Sequence, residues 1–431
     1  MKWEDTGLIR RGNKLLIGRI SCESLARDYG TPLYVIDEAR IRDNIVRLRE
    51  AFTGLYPGSR IHYACKANSN LSVLAIARQE GCLIDAVSPG EIFLSLKAGF
   101  KPEQIFFTGN NVNNDELEFA LKTKVGITVD SISQIGRLVK LAGGRTPPIS
   151  IRINPEVGAG HHDHCITGGK DAKFGVWEGQ AAQAARIAGE AGVPVVGVHM
   201  HIGSGILQVD PFIPAIDRLI ELASRVQDES GGQLDFIDIG GGLGVPYRPE
   251  EEELDLDDFA ARVVGAFQSG LEKHGIRGEP ALALEPGRYI VSDASILLAR
   301  INTVKRTPYR TFVGVDAGFN DLIRPAMYGS YHHILNASSL SGAKLKVDVA
   351  GPLCESGDLF ARDREINDPK EGDVLAILNA GAYGFSMSSQ YNSRPRAAEV
   401  LVTDGRPELV RKRESFHSLV SGQAIPKHLR V

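Results

Sequence analysis

Residues 61–87 read IHYACKANSNLSVLAIARQEGCLIDAV. Ile61, Tyr63 and Cys65 alternate with His62 and Ala64, the two-residue period of a strand. Apolar residues then recur at helical spacing over 71–80, and Ser69 or Asn70 stands where a cap is needed. A second short apolar run, 83–87, follows. The same strand–helix unit recurs along the chain. Strands are expected at 61–65, 83–87, 105–108, 126–129, 149–153, 195–200, 235–239 and 281–284. Helical patterns lie between them at 71–80, 113–122 and 131–141, with Asn114 and Ser131 as further caps. Eight such units over roughly 220 residues are the size and pattern of a (β/α)8 barrel. An open doubly wound sheet is the rival that the same alternation permits.

Past residue 290 the texture changes. The runs 297–304, 345–349, 373–378 and 396–402 are separated by turn residues and lack long intervening helices, which indicates a β-rich second domain. The N-terminal segment through LYVID precedes the first barrel unit and is assigned to that second domain. The expected division is 36–283 for the barrel, and 1–35 with 284–431 for the β-rich domain.

The 431 residues are 43% hydrophobic and 24% charged, enough for about two domains with ample core. A net charge of −4 argues against a broad nucleic-acid surface. No apolar run approaches the ~18 residues of a membrane span, so no membrane partner is expected. The opening MKWEDTGLIRRGNKLL lacks the plan of a signal peptide. Five widely spaced cysteines (22, 65, 82, 165 and 354) without a CxxC pair fit free thiols in a reducing cytoplasm.

Barrel chemistry sits at the carboxyl ends of the strands, and here each end carries something unusual. Strand one ends at Lys66, strand two leads to Asp85 and Ser88, and strand five ends at Arg152 and Asn154. Strand six ends in His199-Met200-His201 with Ser204 following, strand seven in Asp238-Ile239-Gly240-Gly241-Gly242, and strand eight in Glu285-Pro286-Gly287-Arg288. Each has a bland reading. Lys66 could be a solvated strand end, His201 a core histidine, the glycines a tight turn, and Glu285 a partner of Arg288. Each also has a chemical one. A partly buried lysine can attack a carbonyl. Three glycines and an arginine after strands seven and eight occupy the usual phosphate corner of a barrel. The spacing is not GxGxxG, so no dinucleotide fingerprint is present. An amine, a phosphate cradle, a flat imidazole and a carboxylate together suit pyridoxal phosphate, with the carboxylate keeping the pyridine nitrogen protonated.

The motifs YACKAN, HMHIGSG, DIGGGLG, EPGRYIV, GPLCESGD and GAYGFSMSSQYNSRPRAAEV stand in this order over essentially the whole chain. Together they resemble the fold-type III pyridoxal-phosphate decarboxylases, the group acting on ornithine, diaminopimelate and arginine. The resemblance implies a barrel plus a β-domain, working as a head-to-tail homodimer with shared active sites. It makes Lys66 the Schiff-base lysine, His201 the imidazole stacked on the ring, and Glu285 the partner of the pyridine nitrogen. Ser204, Gly240, Gly241 and Gly242 become phosphate contacts, and Arg288 and Tyr383 serve both phosphate and substrate. Cys354 resembles the cysteine that the partner subunit inserts into the site, where it is implicated in returning a proton to the product.

RPAMY at 324–328 and Glu355 match the positions that hold the distal end of diaminopimelate, with Arg324 and Tyr328 on its carboxylate and Glu355 on its ammonium. The implied reaction is decarboxylation of meso-2,6-diaminopimelate at its D-centre to give L-lysine. The alternatives are a related decarboxylase acting on ornithine, arginine or carboxynorspermidine, an amino-acid racemase, a non-catalytic homologue, and a sugar-phosphate barrel enzyme without this cofactor. The loop at 159–168 carries His161, His162, Asp163 and His164. Adjacent histidines do not readily converge on one ion, and the family has a comparable segment, so no metal is expected and these histidines receive no role.

Overall fold

The computed structural model describes residues 3–156, 169 and 172–430. The loop bearing His161, His162 and His164 lies outside the described residues.

The barrel strands are β1 Arg60–Ala64, β2 Leu83–Ala86, β3 Ile105–Phe107, β4 Gly126–Val129, β5 Ile149–Asn154, β6 Val195–His199, β7 Phe236–Asp238 and β8 Ala281–Leu284. Each pairs in parallel with the next. β8 then pairs with β1 through Ala283–Arg60 and Leu284–Ile61. That closure decides for the (β/α)8 barrel and against the open sheet. The expected helices form at Leu71–Gln79, Asn114–Thr123 and Ile132–Ala142. Asn70 caps the first, its side chain accepting from Ser72 N. The second is capped one residue earlier than expected. Asn113, not Asn114, accepts from Glu116 N at 3.0 Å, while the Glu116 carboxylate takes the Asn113 N–H at 2.8 Å. The reciprocal pair needs a carboxylate three residues after the cap, and only Asn113 has one.

Two compact units form. Residues 40–246 with 250–292 make the barrel unit; residues 2–39, 247–249 and 293–431 make the second. Within the second unit, Leu33–Asp37 is wholly buried and pairs antiparallel with Ser295–Arg306 and parallel with Ala398–Thr403. The LYVID segment thus belongs to the β-rich sheet, and its unbroken apolar character has a cause. Alternate residues of these strands feed two cores on opposite faces. Tyr34, Leu297, Leu375 and Ile377 enter one core. Leu33, Val35, Leu298, Ala376 and Val400 enter the other. The strands Lys344–Ala350 and Leu359–Asn367 form a hairpin-like pair, and residues 351–358 between them carry CESGD. Among the described residues no helix is long and apolar enough to cross a membrane.

Candidate active site

Lys66 follows β1 in a single turn, Cys65–Ala67, and its side chain is 33% exposed. Its Nζ donates to Asp85 Oδ2 at 2.7 Å. Asp85 is the penultimate residue of β2, is fully buried, and takes the Thr108 hydroxyl on its other oxygen. Neighbouring strand ends therefore aim an amine at one carboxylate, which fixes the lysine in a half-open position.

The glycine turn is required by crowding. A Cβ on Gly240 would lie 2.3 Å from the Met200 carbonyl oxygen, and one on Gly241 would lie 2.2 Å from that of Glu285. Gly240 and Gly242 also have φ of 75° and 115°, the region that favours glycine. Gly240 N donates to Asp238 Oδ1 at 2.8 Å, and Gly241 N to His201 Nδ1 at 3.2 Å. Two of the three N–H groups are thus spent inside the protein, one of them on orienting the imidazole. Beside the turn, Arg288 Nη2 donates to Ser204 Oγ at 3.0 Å. A buried guanidinium, a hydroxyl and a glycine turn meet at one corner, where they can hold a phosphate.

His201 Nδ1 accepts a backbone N–H, so it carries no proton. Burial, and after it the Lys66 charge, push its pKa well below that of an ordinary imidazole. The ring is a flat neutral surface. Glu285 is almost fully buried, with Oε2 3.0 Å from His199 Nε2. Its Oε1 is buried and has no hydrogen-bond partner among the described residues. A buried carboxylate oxygen left without a donor is costly, and a protonated pyridine nitrogen would supply the missing donor.

His62, Asp238 and Glu285 bring ligand atoms within 4.8 Å of one another. His199 already holds one oxygen of Glu285, and Gly240 N holds one of Asp238. Burial lowers the His62 pKa to about 4, so its ring is neutral at pH 7. Its imidazole stacks on Phe106 with centroids 4.6 Å apart.

In the second unit, Arg324 is 2% exposed. It donates to Tyr247 Oη at 2.7 Å and to Ser330 Oγ at 3.1 Å. Tyr328 ends the same short helix, Arg324–Tyr328. Cys354 and Glu355 are both exposed. Cys354 N donates to Asn392 Oδ1 at 2.9 Å, and Glu355 accepts from Tyr391 Oη at 2.6 Å. Tyr383 sits in a left-handed backbone conformation, φ 57°, unusual for a side chain of its size. The structure therefore gathers Lys66, His201, Ser204, Gly240–Gly242, Glu285 and Arg288 at the barrel's strand ends. Arg324, Tyr328, Cys354, Glu355 and Tyr383 lie in the other unit. Tyr247, Thr108 and Tyr391 escaped the sequence reading.

The sequence profile described as "Pyridoxal-dependent decarboxylase, pyridoxal binding domain" matches residues 40–292, which are the limits of the barrel unit. The chain belongs to the pyridoxal-dependent decarboxylase family. It is 58% identical over 418 residues to the diaminopimelate decarboxylase of Methanothermobacter thermautotrophicus, covering 96% of each chain. The diaminopimelate decarboxylase of Methanocaldococcus jannaschii solved with L-lysine aligns over the full length of both chains at 35% identity, with a TM-score of 0.93. The Helicobacter pylori enzyme complexed with L-lysine aligns at 37% identity and a TM-score of 0.85, covering 93% of this chain and 98% of that one. As a pyridoxal-dependent decarboxylase, the protein is an enzyme and its cofactor is pyridoxal phosphate. The unpartnered Glu285 oxygen, the crowded glycine turn and the Ser204–Arg288 corner fit that group.

Proposed function

We propose that this enzyme decarboxylates meso-2,6-diaminopimelate at its D-centre, leaving L-lysine, as the last step of lysine synthesis. Pyridoxal phosphate, when bound, supplies a ring that accepts the electrons left behind by carbon dioxide. Lys66 holds its aldehyde covalently. Glu285 pairs with its ring nitrogen and His201 covers its face. Gly240–Gly242, Ser204, Arg288 and Tyr383 bind its phosphate.

The observation that carries the substrate assignment is Arg324. It is a buried cation held by Tyr247 and Ser330, with a planar fork suited to a carboxylate. A substrate whose far end is an amino-acid head needs a cation for its carboxylate and an anion for its ammonium. Arg324 with Tyr328 supplies the first and Glu355 the second. Ornithine has no distal carboxylate and would leave the Arg324 charge without an anionic partner from the substrate, which a specific site rejects strongly. Two relatives of high structural similarity were solved with L-lysine bound, which agrees with L-lysine as the product.

The enzyme works as a cytoplasmic homodimer in which Cys354 and Glu355 of one subunit serve the barrel of the other. Cys354 is exposed and offers a thiol that can return a proton to the product. The test is the absorbance spectrum of the purified protein, followed by carbon dioxide and lysine measurement with meso-diaminopimelate, ornithine, arginine and carboxynorspermidine. A yellow protein that forms lysine and carbon dioxide from diaminopimelate alone supports the proposal. Preference for another substrate, or inverted stereochemistry without gas release, contradicts it.

A further inference from the structure

His199 ends β6 two residues before His201, and its ring is 2% exposed. Its Nε2 lies 3.0 Å from Glu285 Oε2, and its Nδ1 has no partner among the described residues. Toward an ionised carboxylate, Nε2 carries the hydrogen and Nδ1 is bare, which is one tautomer of a neutral imidazole. Burial, and after it the Arg152 charge, push the His199 pKa well below the ordinary value and keep it neutral. Charge matters here. An imidazolium would neutralise Glu285, and the carboxylate would then hold a positive ring nitrogen less well. A neutral donor contributes a hydrogen bond and leaves the negative charge in place.

We propose that His199 is a positioning residue that ties down Glu285 Oε2 so that Oε1 faces the cofactor's ring nitrogen as a carboxylate oxygen. The inference rests on Glu285 as the partner of that nitrogen, not on the identity of the substrate. One proton is shared between Glu285 Oε1 and the ring nitrogen, and its place depends on how basic the carboxylate is. Burial favours the protonated carboxyl, and the neighbouring Asp238 charge acts in the same direction. Lys66 and Arg152 favour the carboxylate, as does the His199 hydrogen bond. Removing that donor raises the basicity of Glu285 and draws the proton from nitrogen to oxygen. The ring then accepts electrons less well.

The test reconstitutes the holoenzyme with cofactor labelled with nitrogen-15 in its ring. The parent enzyme is expected to show a protonated ring nitrogen. His199→Phe keeps an aromatic ring but no donor. It is expected to move the nitrogen resonance toward the unprotonated position and to lower kcat by about 10- to 100-fold, the worth of one hydrogen bond to a charged group, with KM little changed. His199→Gln, which restores an N–H, is expected to recover both. An unchanged nitrogen resonance in His199→Phe, whatever its kcat, would overturn the proposal. Glu285→Gln is the control for the underlying reading, because an unchanged resonance there removes Glu285 as the partner. A second measurement needs no variant. Histidine nitrogen resonances of the holoenzyme should show His199 as the neutral Nε2–H tautomer from about pH 6 to 8, and an imidazolium or an Nδ1–H form would equally overturn the proposal.

Discussion

In the barrel unit, the groups assigned to the cofactor are tied to neighbours from other strand ends: Lys66 to Asp85, His201 to Gly241, Arg288 to Ser204, and Glu285 to His199. In the second unit, Arg324 is buried and held by Tyr247 and Ser330. Cys354 and Glu355 stand exposed on the segment 351–358 between two strands. The cofactor is the same for every member of the family, and a rigid scaffold suits it. Substrates differ, and residues on connecting segments can change without disturbing a core. On the proposed assignment, buried strand ends serve the shared chemistry, while the connecting segments and short helices serve the choice of substrate.

Four substitutions test this contrast, beginning with the largest effect. Lys66→Ala is expected to lower turnover by about 10⁴-fold, the upper range for one group that transfers protons or attacks a carbonyl, and to remove the visible absorbance of the bound cofactor. A variant that keeps this band breaks the barrel half of the comparison. His62→Phe tests how far burial sets the charge state of the barrel interior. The native pKa of His62 is depressed to about 4 from 6.5. The native state therefore prefers the neutral ring, and stability present above about pH 6.5 is lost as pH falls through about 4. The parent should lose about 3 kcal/mol relative to His62→Phe across that window. Denaturant midpoints at several pH values measure it, and a constant difference would rule it out.

Arg324→Ala should cost about 100-fold in kcat/KM for diaminopimelate, the value of a buried charged pair of hydrogen bonds, with cofactor absorbance retained. Parallel loss of absorbance would mean that Arg324 serves the barrel chemistry after all. Glu355→Gln should have the smallest effect, a rise in KM of about 2- to 10-fold, because its carboxylate is exposed and shared with Tyr391. A loss as large as that of Arg324→Ala would erase the contrast between buried and exposed substrate contacts.

The barrel was legible because its signals are local. Alternation in IHYAC and helical spacing over 71–80 each lie within a dozen residues, and the observed strands fall within a residue or two of the expected ones. Local capping was the finer limit: Asn113 and Asn114 are the same residue type, and only the Glu116 spacing distinguishes them. Closure was not legible, because the Ala283–Arg60 pairing joins residues at opposite ends of the barrel sequence. The site residues were found by type and strand-end position, but their partners were not. Tyr247 meets Arg324 across 77 positions, and Tyr391 meets Glu355 across 36, with no periodicity linking either pair. The glycine triplet carried a mixed message. It marks a phosphate corner, while the crowding that requires glycine comes from the Met200 and Glu285 carbonyls of neighbouring strand ends.

Every role proposed above depends on Lys66 carrying the cofactor. Borohydride reduction of the purified holoenzyme, followed by proteolysis and mass spectrometry, reads that bond directly. One pyridoxyl-modified peptide is expected, with the modification on Lys66. A modification on another lysine, or none in a protein that still releases carbon dioxide from diaminopimelate, would contradict it.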